Sequence, residues 1–134
     1  MIVVDASVLT DFLLGRTPGV DLIEGTAALA GEPFHAPELI EVETLHALRG
    51  LARAGHVSDE RAATAVARLG VVRRVLYPHG PFLQRAWELR HELTASDAMY
   101  LALAERIDAV LFTADRGLAR RAKRLLGADR VQAI

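Results

Sequence analysis

Ile2-Val3-Val4-Asp5-Ala6-Ser7-Val8-Leu9 reads as a strand that ends on a carboxylate and turns at once into a helix. Ile2 to Val4 are β-branched and unbroken by a polar residue, the composition of a strand covered on both faces. Asp5-Ala6-Ser7 carries oxygens that can cap a helix, and Val8, Leu9, Phe12 and Leu13 then recur at helical spacing. The same pattern returns near the end of the chain. Ala109-Val110-Leu111-Phe112-Thr113 is a second continuous apolar strand, and Asp115 opens a helix that reaches Leu126 and stops at Gly127. Two buried strands that each run into an aspartate imply a parallel sheet with acids at its carboxyl edge.

Between these anchors, strand and helix signals alternate. Gly15 and Pro18 interrupt the first helix, and Val20 to Leu29 resumes a helical pattern that Gly31 can stop. Pro33 to Ala36 is a brief strand, and Pro37 suits the first turn of a helix over Glu38 to Arg53, ending near Gly55. Ser58 starts a helix that continues through Ala62 to Leu69 and stops at Gly70. Val71-Val72 with Val75-Leu76-Tyr77 makes a third strand before Pro78. Pro81 to His91 is helical, Ser96 or Asp97 caps the next helix, and Val131 to Ile134 forms an edge strand. The expected fold is α/β: one domain over residues 1–134, with three layers and a central, mostly parallel sheet of about five strands between helices.

The 134 residues are 51% hydrophobic and 25% charged, a globular balance, and the net charge of -1 excludes a broadly basic nucleic-acid binder. With no cysteine, disulfides, thiolate metal sites and cysteine nucleophiles are excluded. Lys123 is the only lysine among 16 basic residues, and arginine suits bidentate contacts with phosphate or carboxylate. The N-terminus has no basic leader and no long apolar stretch follows, so a soluble cytoplasmic protein without membrane association is expected.

Asp5 and Asp115 fall where open α/β folds place their ligands, and Asp97 stands at a third junction. Helix capping would account for any one of them alone. Gathered with a glutamate, they would resist common ionisation unless a cation compensated, and an all-oxygen donor set points to magnesium or manganese. Glu41 and Glu43 flank the buried side of the helix, marked by Ile40, Thr44, Ala47, Leu48 and Leu51, and periodicity does not choose between them. The small neighbours Ala47 and Gly50 modestly favour Glu43. Tyr100 and Trp87, at helical spacing among apolar residues, read as core packers. The five histidines form no metal motif, and no glycine-rich phosphate loop is present. A haloacid-dehalogenase-like phosphatase would need a second early aspartate. A phosphorelay receiver would need an early acidic pair and a late lysine.

Four segments in order carry a resemblance. They are Val3-Val4-Asp5-Ala6-Ser7-Val8-Leu9, Ala36-Pro37-Glu38-Leu39-Ile40-Glu41-Val42-Glu43-Thr44-Leu45-His46-Ala47-Leu48-Arg49, Asp97-Ala98-Met99-Tyr100-Leu101-Ala102-Leu103-Ala104-Glu105 and Leu111-Phe112-Thr113-Ala114-Asp115-Arg116-Gly117-Leu118-Ala119. Together they make the chain resemble the PIN-domain ribonucleases, most of all the VapC-type toxins of toxin–antitoxin pairs. The family spacing selects Glu43 over Glu41. The resemblance implies an acidic pocket of Asp5, Glu43, Asp97 and Asp115 that binds one or two Mg2+ or Mn2+ ions and cleaves RNA to leave a 3'-hydroxyl and a 5'-phosphate. An ion would activate the attacking water and neutralise developing charge. Ser7 and Thr113 are candidates to donate to an acid, a bound water or a phosphate, and Arg116 is a candidate phosphate contact. Implied partners are RNA, a cognate antitoxin that sends a basic group toward the acids and touches the apolar early helices, and a second copy in a homodimer. DNA binding would come through the antitoxin. The alternatives are a noncatalytic PIN-like RNA-binding or interaction module, or a general RNA-processing PIN nuclease.

Overall fold

A strand of three apolar residues is stable only if both its faces are covered, and β1 (Ile2–Val4) lies at the centre of the sheet. Val3 and Val4 point to opposite faces and neither is exposed at all. The computed structural model describes residues 1–30 and 32–134, with side chains outside 26–31. The chain continues through α1 (Ala6–Leu13), α2 (Gly19–Ala30), β2 (Phe34–Pro37), α3 (Leu39–Arg53), α4 (Asp59–Val71) and β3 (Arg74–Tyr77). It then forms α5 (Leu83–Glu88), α6 (Ala95–Arg106), β4 (Val110–Thr113), α7 (Arg116–Leu126) and β5 (Val131–Ala133).

The five strands are all parallel, in the order β3-β2-β1-β4-β5. Val3 faces His35 on one side and Leu111 on the other, and Val4 faces Phe112. The chain builds outward from β1 through β2 to β3, then returns to build β4 and β5 on the other flank. The direction of winding reverses between β1 and β4, which opens a crevice beyond their carboxyl ends. One helix group packs around α1, which meets α2, α3 and α4, and the other packs around α6, which meets α5 and α7. α6 also touches β1, β2 and β4, and every residue from Ala98 to Ala104 is buried. Alanines at three of those seven positions, Ala98, Ala102 and Ala104, let the helix approach the sheet closely. Among the described residues, no helix is long and apolar enough to cross a membrane.

The α/β class and the five-stranded sheet match the expectation from sequence. Several boundaries differ. α4 runs through Gly70 to Val71, which is 82% exposed, so the strand begins only at Arg74. A helical glycine costs only about 1 kcal/mol, less than Ala65 and Leu69 gain by burial upstream. Pro37 closes β2 instead of opening α3. The helix expected over Pro81 to His91 is split into a 3-10 turn at Gly80–Phe82 and the six-residue α5. Within α5, Trp87 is 63% exposed beneath the guanidinium of Arg90, 4.4 Å from the ring centre, so its reading as a core packer is corrected. Gly31 as a helix stop lies outside the described residues.

Candidate active site

Asp5 follows the last residue of β1 and caps α1: its Oδ1 accepts the Val8 N–H at 3.1 Å. Only 5% of the residue is exposed. The Ser7 hydroxyl also donates to Oδ1 and the Thr113 hydroxyl to Oδ2, so both oxygens are held. Each hydroxyl is anchored in turn. Ser7 Oγ accepts the Ala114 N–H at 2.9 Å, and Thr113 Oγ1 accepts the Asp115 N–H at 2.9 Å. The pair thus ties the ends of β1 and β4 together across the crevice.

Asp115 stands beyond β4 as the N-cap of α7, its Oδ1 accepting the Leu118 N–H at 3.0 Å. It is exposed and so free to meet a solvent-borne partner. Arg116 is exposed beside it and enters no ion pair among the described residues. At Gly117 an added Cβ would come within 3.1 Å of Asp115 Oδ1 and 3.5 Å of Arg121 Nη1. The absence of a side chain there leaves room for the carboxylate and the guanidinium.

The two glutamates of α3 separate. Glu41 turns to β3, where Arg74 donates to it. Glu43 turns toward the crevice, and its Oε1 accepts the Tyr100 hydroxyl at 2.6 Å. The Tyr100 ring is 2% exposed, so the core reading describes the ring but misses the hydroxyl. Its position three residues after Asp97 puts both on one face of α6, a spacing that could have revealed the connection.

Asp97 lies in the first turn of α6 but does not cap it. Thr94 is the cap, its Oγ1 accepting the Asp97 N–H at 3.2 Å, which corrects the expectation of Ser96 or Asp97. Thr94-Ala95-Ser96-Asp97 is itself a capping-box-like pattern that the reading overlooked. With its side chain freed from capping, Asp97 Oδ2 sits 3.8 Å from Arg121 Nη2. No local sequence signal linked Arg121 to the acids.

The electrostatics tie the acids to one another. Burial pushes Asp5 above the ordinary carboxylate value, against its bonds from Ser7, Thr113 and Val8. Burial also raises Glu43; Asp97 and Asp5 raise it further, while the Tyr100 bond opposes them. Asp97 is raised by burial and by Asp115, with Thr94 and Arg121 pulling it down. Tyr100 is driven far up by burial and by its donation to Glu43, so it stays protonated as a donor. Among the described residues, no three His, Asp or Glu side chains are gathered into a set able to hold a metal as they stand. The donor chemistry nevertheless fits a hard divalent cation: desolvated carboxylates raise one another at a strand switch point, and a small cation among them would relieve that repulsion.

Known proteins resemble the chain across nearly its whole length. A family model described as PIN domain matches residues 2–124. Ribonuclease VapC9 of Mycobacterium tuberculosis is 41% identical over 118 residues, covering 86% of each chain. Ribonuclease VapC1 of the same organism is 36% identical over 118 residues, 87% of each. The crystal structure of PAE2754 from Pyrobaculum aerophilum superposes with a TM-score of 0.67 at 26% identity, covering 97% of this chain and 81% of that one.

Proposed function

Because the chain belongs to the PIN-domain family, we propose that it is a metal-dependent endoribonuclease, the toxin half of a toxin–antitoxin pair, with residues 1–134 as one catalytic unit. The observation that carries this reading is the fixed Asp5 carboxylate at the β1/β4 switch point, acting electrostatically on Glu43, which also feels Asp97. The relatives named as VapC ribonucleases support RNA as the substrate and a cognate antitoxin as the partner.

Asp5, Glu43, Asp97 and Asp115 would hold Mg2+ or Mn2+, directly or through waters, and the ion would supply Lewis-acid stabilisation to phosphodiester hydrolysis. The chain's own groups make the site ready for it. Ser7 and Thr113 fix both oxygens of Asp5, so reorganisation is small when the site fills. Tyr100 keeps Glu43 turned inward and favours its ionised form. Arg121 offsets the charge of Asp97 and is placed to release it to a stronger cation. Arg116 stands at the rim, where a substrate phosphate would pass.

A groove of about 460 Å3 lined by Ser7, Thr10, Asp11, His46, Ala47 and Gly50 opens beside the hydroxyl that holds Asp5. It supports the antitoxin reading, since a segment lying there would reach the acids with a basic side chain. The same reading includes a homodimer, a cytoplasmic setting and DNA binding supplied by the antitoxin. The alternative reading is a noncatalytic PIN-like RNA-binding or interaction module.

Mapping RNA 5' ends after brief induction separates the two readings, with the Asp5→Asn chain as control. New 5'-phosphate ends in the wild type alone support the nuclease. No new ends, or the same ends in the control, reject it.

A further inference from the structure

The near-neutral chain concentrates positive charge on one helix. Between Arg116 and Arg124, α7 carries five basic residues and no acid. Leu118, Ala119 and Ala122 are buried and define its inner face. At about 100° per residue, Arg116, Arg120 and Arg124 fall on the opposite side in one row, with Lys123 next to it. All four are exposed and enter no ion pair among the described residues, whereas Arg121, on the flank, reaches Asp97.

Ordinary helix stabilisation accounts for only half of this row. Lys123 and Arg124 complement the negative end of the helix dipole. Arg116 lies in the first turn, at the positive end where a cation is disfavoured, Arg120 lies mid-helix where the dipole offers it nothing, and the spacing of four sets each arginine against the next. Unpartnered charges kept in a repelling row beside the acids imply an anionic partner. The row begins at Arg116, adjacent to Asp115, and advances about 6 Å per step along the helix axis, a regular spacing suited to successive phosphates.

Resting on the nuclease reading, we propose that the Arg116-Arg120-Arg124 row of α7, with Lys123, is the track that holds backbone phosphates of the RNA strand leading away from the cleaved bond. It gives affinity without reading bases, because phosphate contacts position a strand and carry no sequence information. It also reconciles an acidic pocket with a polyanionic substrate: the cations run away from the pocket along the helix that Asp115 caps.

The test is binding of a fluorescent single-stranded RNA across a salt series in Mg2+, on an Asp5→Asn background that does not cut. Arg120→Gln/Lys123→Gln/Arg124→Gln should weaken binding at least tenfold and flatten the salt dependence. Each lost phosphate contact removes about 0.7 from the logarithmic slope. Arg120→Lys/Arg124→Lys should keep most of the slope. The melting temperature of the triple variant should stay within a few degrees of the parent's, because relief of the repulsion offsets the lost complement to the helix dipole, and this distinguishes lost binding from lost folding. An unchanged affinity and slope in the triple variant, with RNA still bound by the parent, overturns the track alone. So does loss of antitoxin binding without loss of RNA binding. Wild-type chain that neither binds nor cuts RNA overturns both the track and the nuclease reading.

Discussion

Asp5 owes its placement to two hydroxyls, each two positions from an acid in the chain: Ser7 after Asp5 itself and Thr113 before Asp115. That closeness is why the sequence could suggest both hydroxyls. Tyr100 was harder to read, because a ring among alanines and leucines signals burial and its partner Glu43 is 57 positions away. Tyr100→Phe removes the bond that opposes burial at Glu43, letting that carboxyl rise further. The acid limb of the cleavage rate profile should move to higher pH, and the rate at neutral pH should fall about tenfold, the equivalent of about 1.4 kcal/mol. A profile with an unmoved acid limb would show that Tyr100 only packs.

Helices α6 and α7 each present an acid through the way they begin. Thr94 caps α6, so that Asp97 faces Arg121 instead of the helix end, and Thr94→Ala should lower stability by about 1 kcal/mol, read as a drop of about 3–4 °C in melting temperature. At the head of α7, Gly117→Ala separates stability from function. Alanine improves helix propensity by up to about 1 kcal/mol, yet its Cβ would crowd Asp115 and Arg121. The variant should melt no lower than wild type and cut several-fold more slowly; full activity would mean that the room at Gly117 is unimportant. Element types were legible from periodicity, but their ends were not. Packing of Ala65 and Leu69 carried α4 past Gly70, and α5 was cut short where the apolar pattern continued.

Across the whole molecule, the alternation of strands and helices declared a parallel sheet, but the neighbour order β3-β2-β1-β4-β5 depends on contacts that no local pattern encodes. Net charge was similarly blind to arrangement, averaging the buried acids with the basic face of α7. The raised values of Asp5, Glu43 and Asp97 have a defined consequence for stability. A carboxyl raised in the folded state takes a proton before the unfolded chain does, so its burden is present at neutral pH and is relieved as pH falls through the raised value. Mg2+ or Mn2+ should therefore raise the melting temperature most at pH 7–8, by several degrees at saturation, and the shift should shrink with acidification and vanish in Asp97→Asn. His35 acts oppositely: burial lowers it below its ordinary 6.5, so the fold loses stability as pH drops below that value, a loss that His35→Gln should remove. The most direct measurement of the central claim is cleavage of an RNA panel by the purified chain with Mg2+ or Mn2+, with EDTA, and with folded Asp5→Asn and Asp97→Asn variants. Cuts bearing 5'-phosphate and 3'-hydroxyl ends are expected, and they should require the metal and fall at least about 100-fold in both variants. Cleavage that survives EDTA and both substitutions would contradict the claim, as would a folded wild-type chain that cuts nothing with either metal.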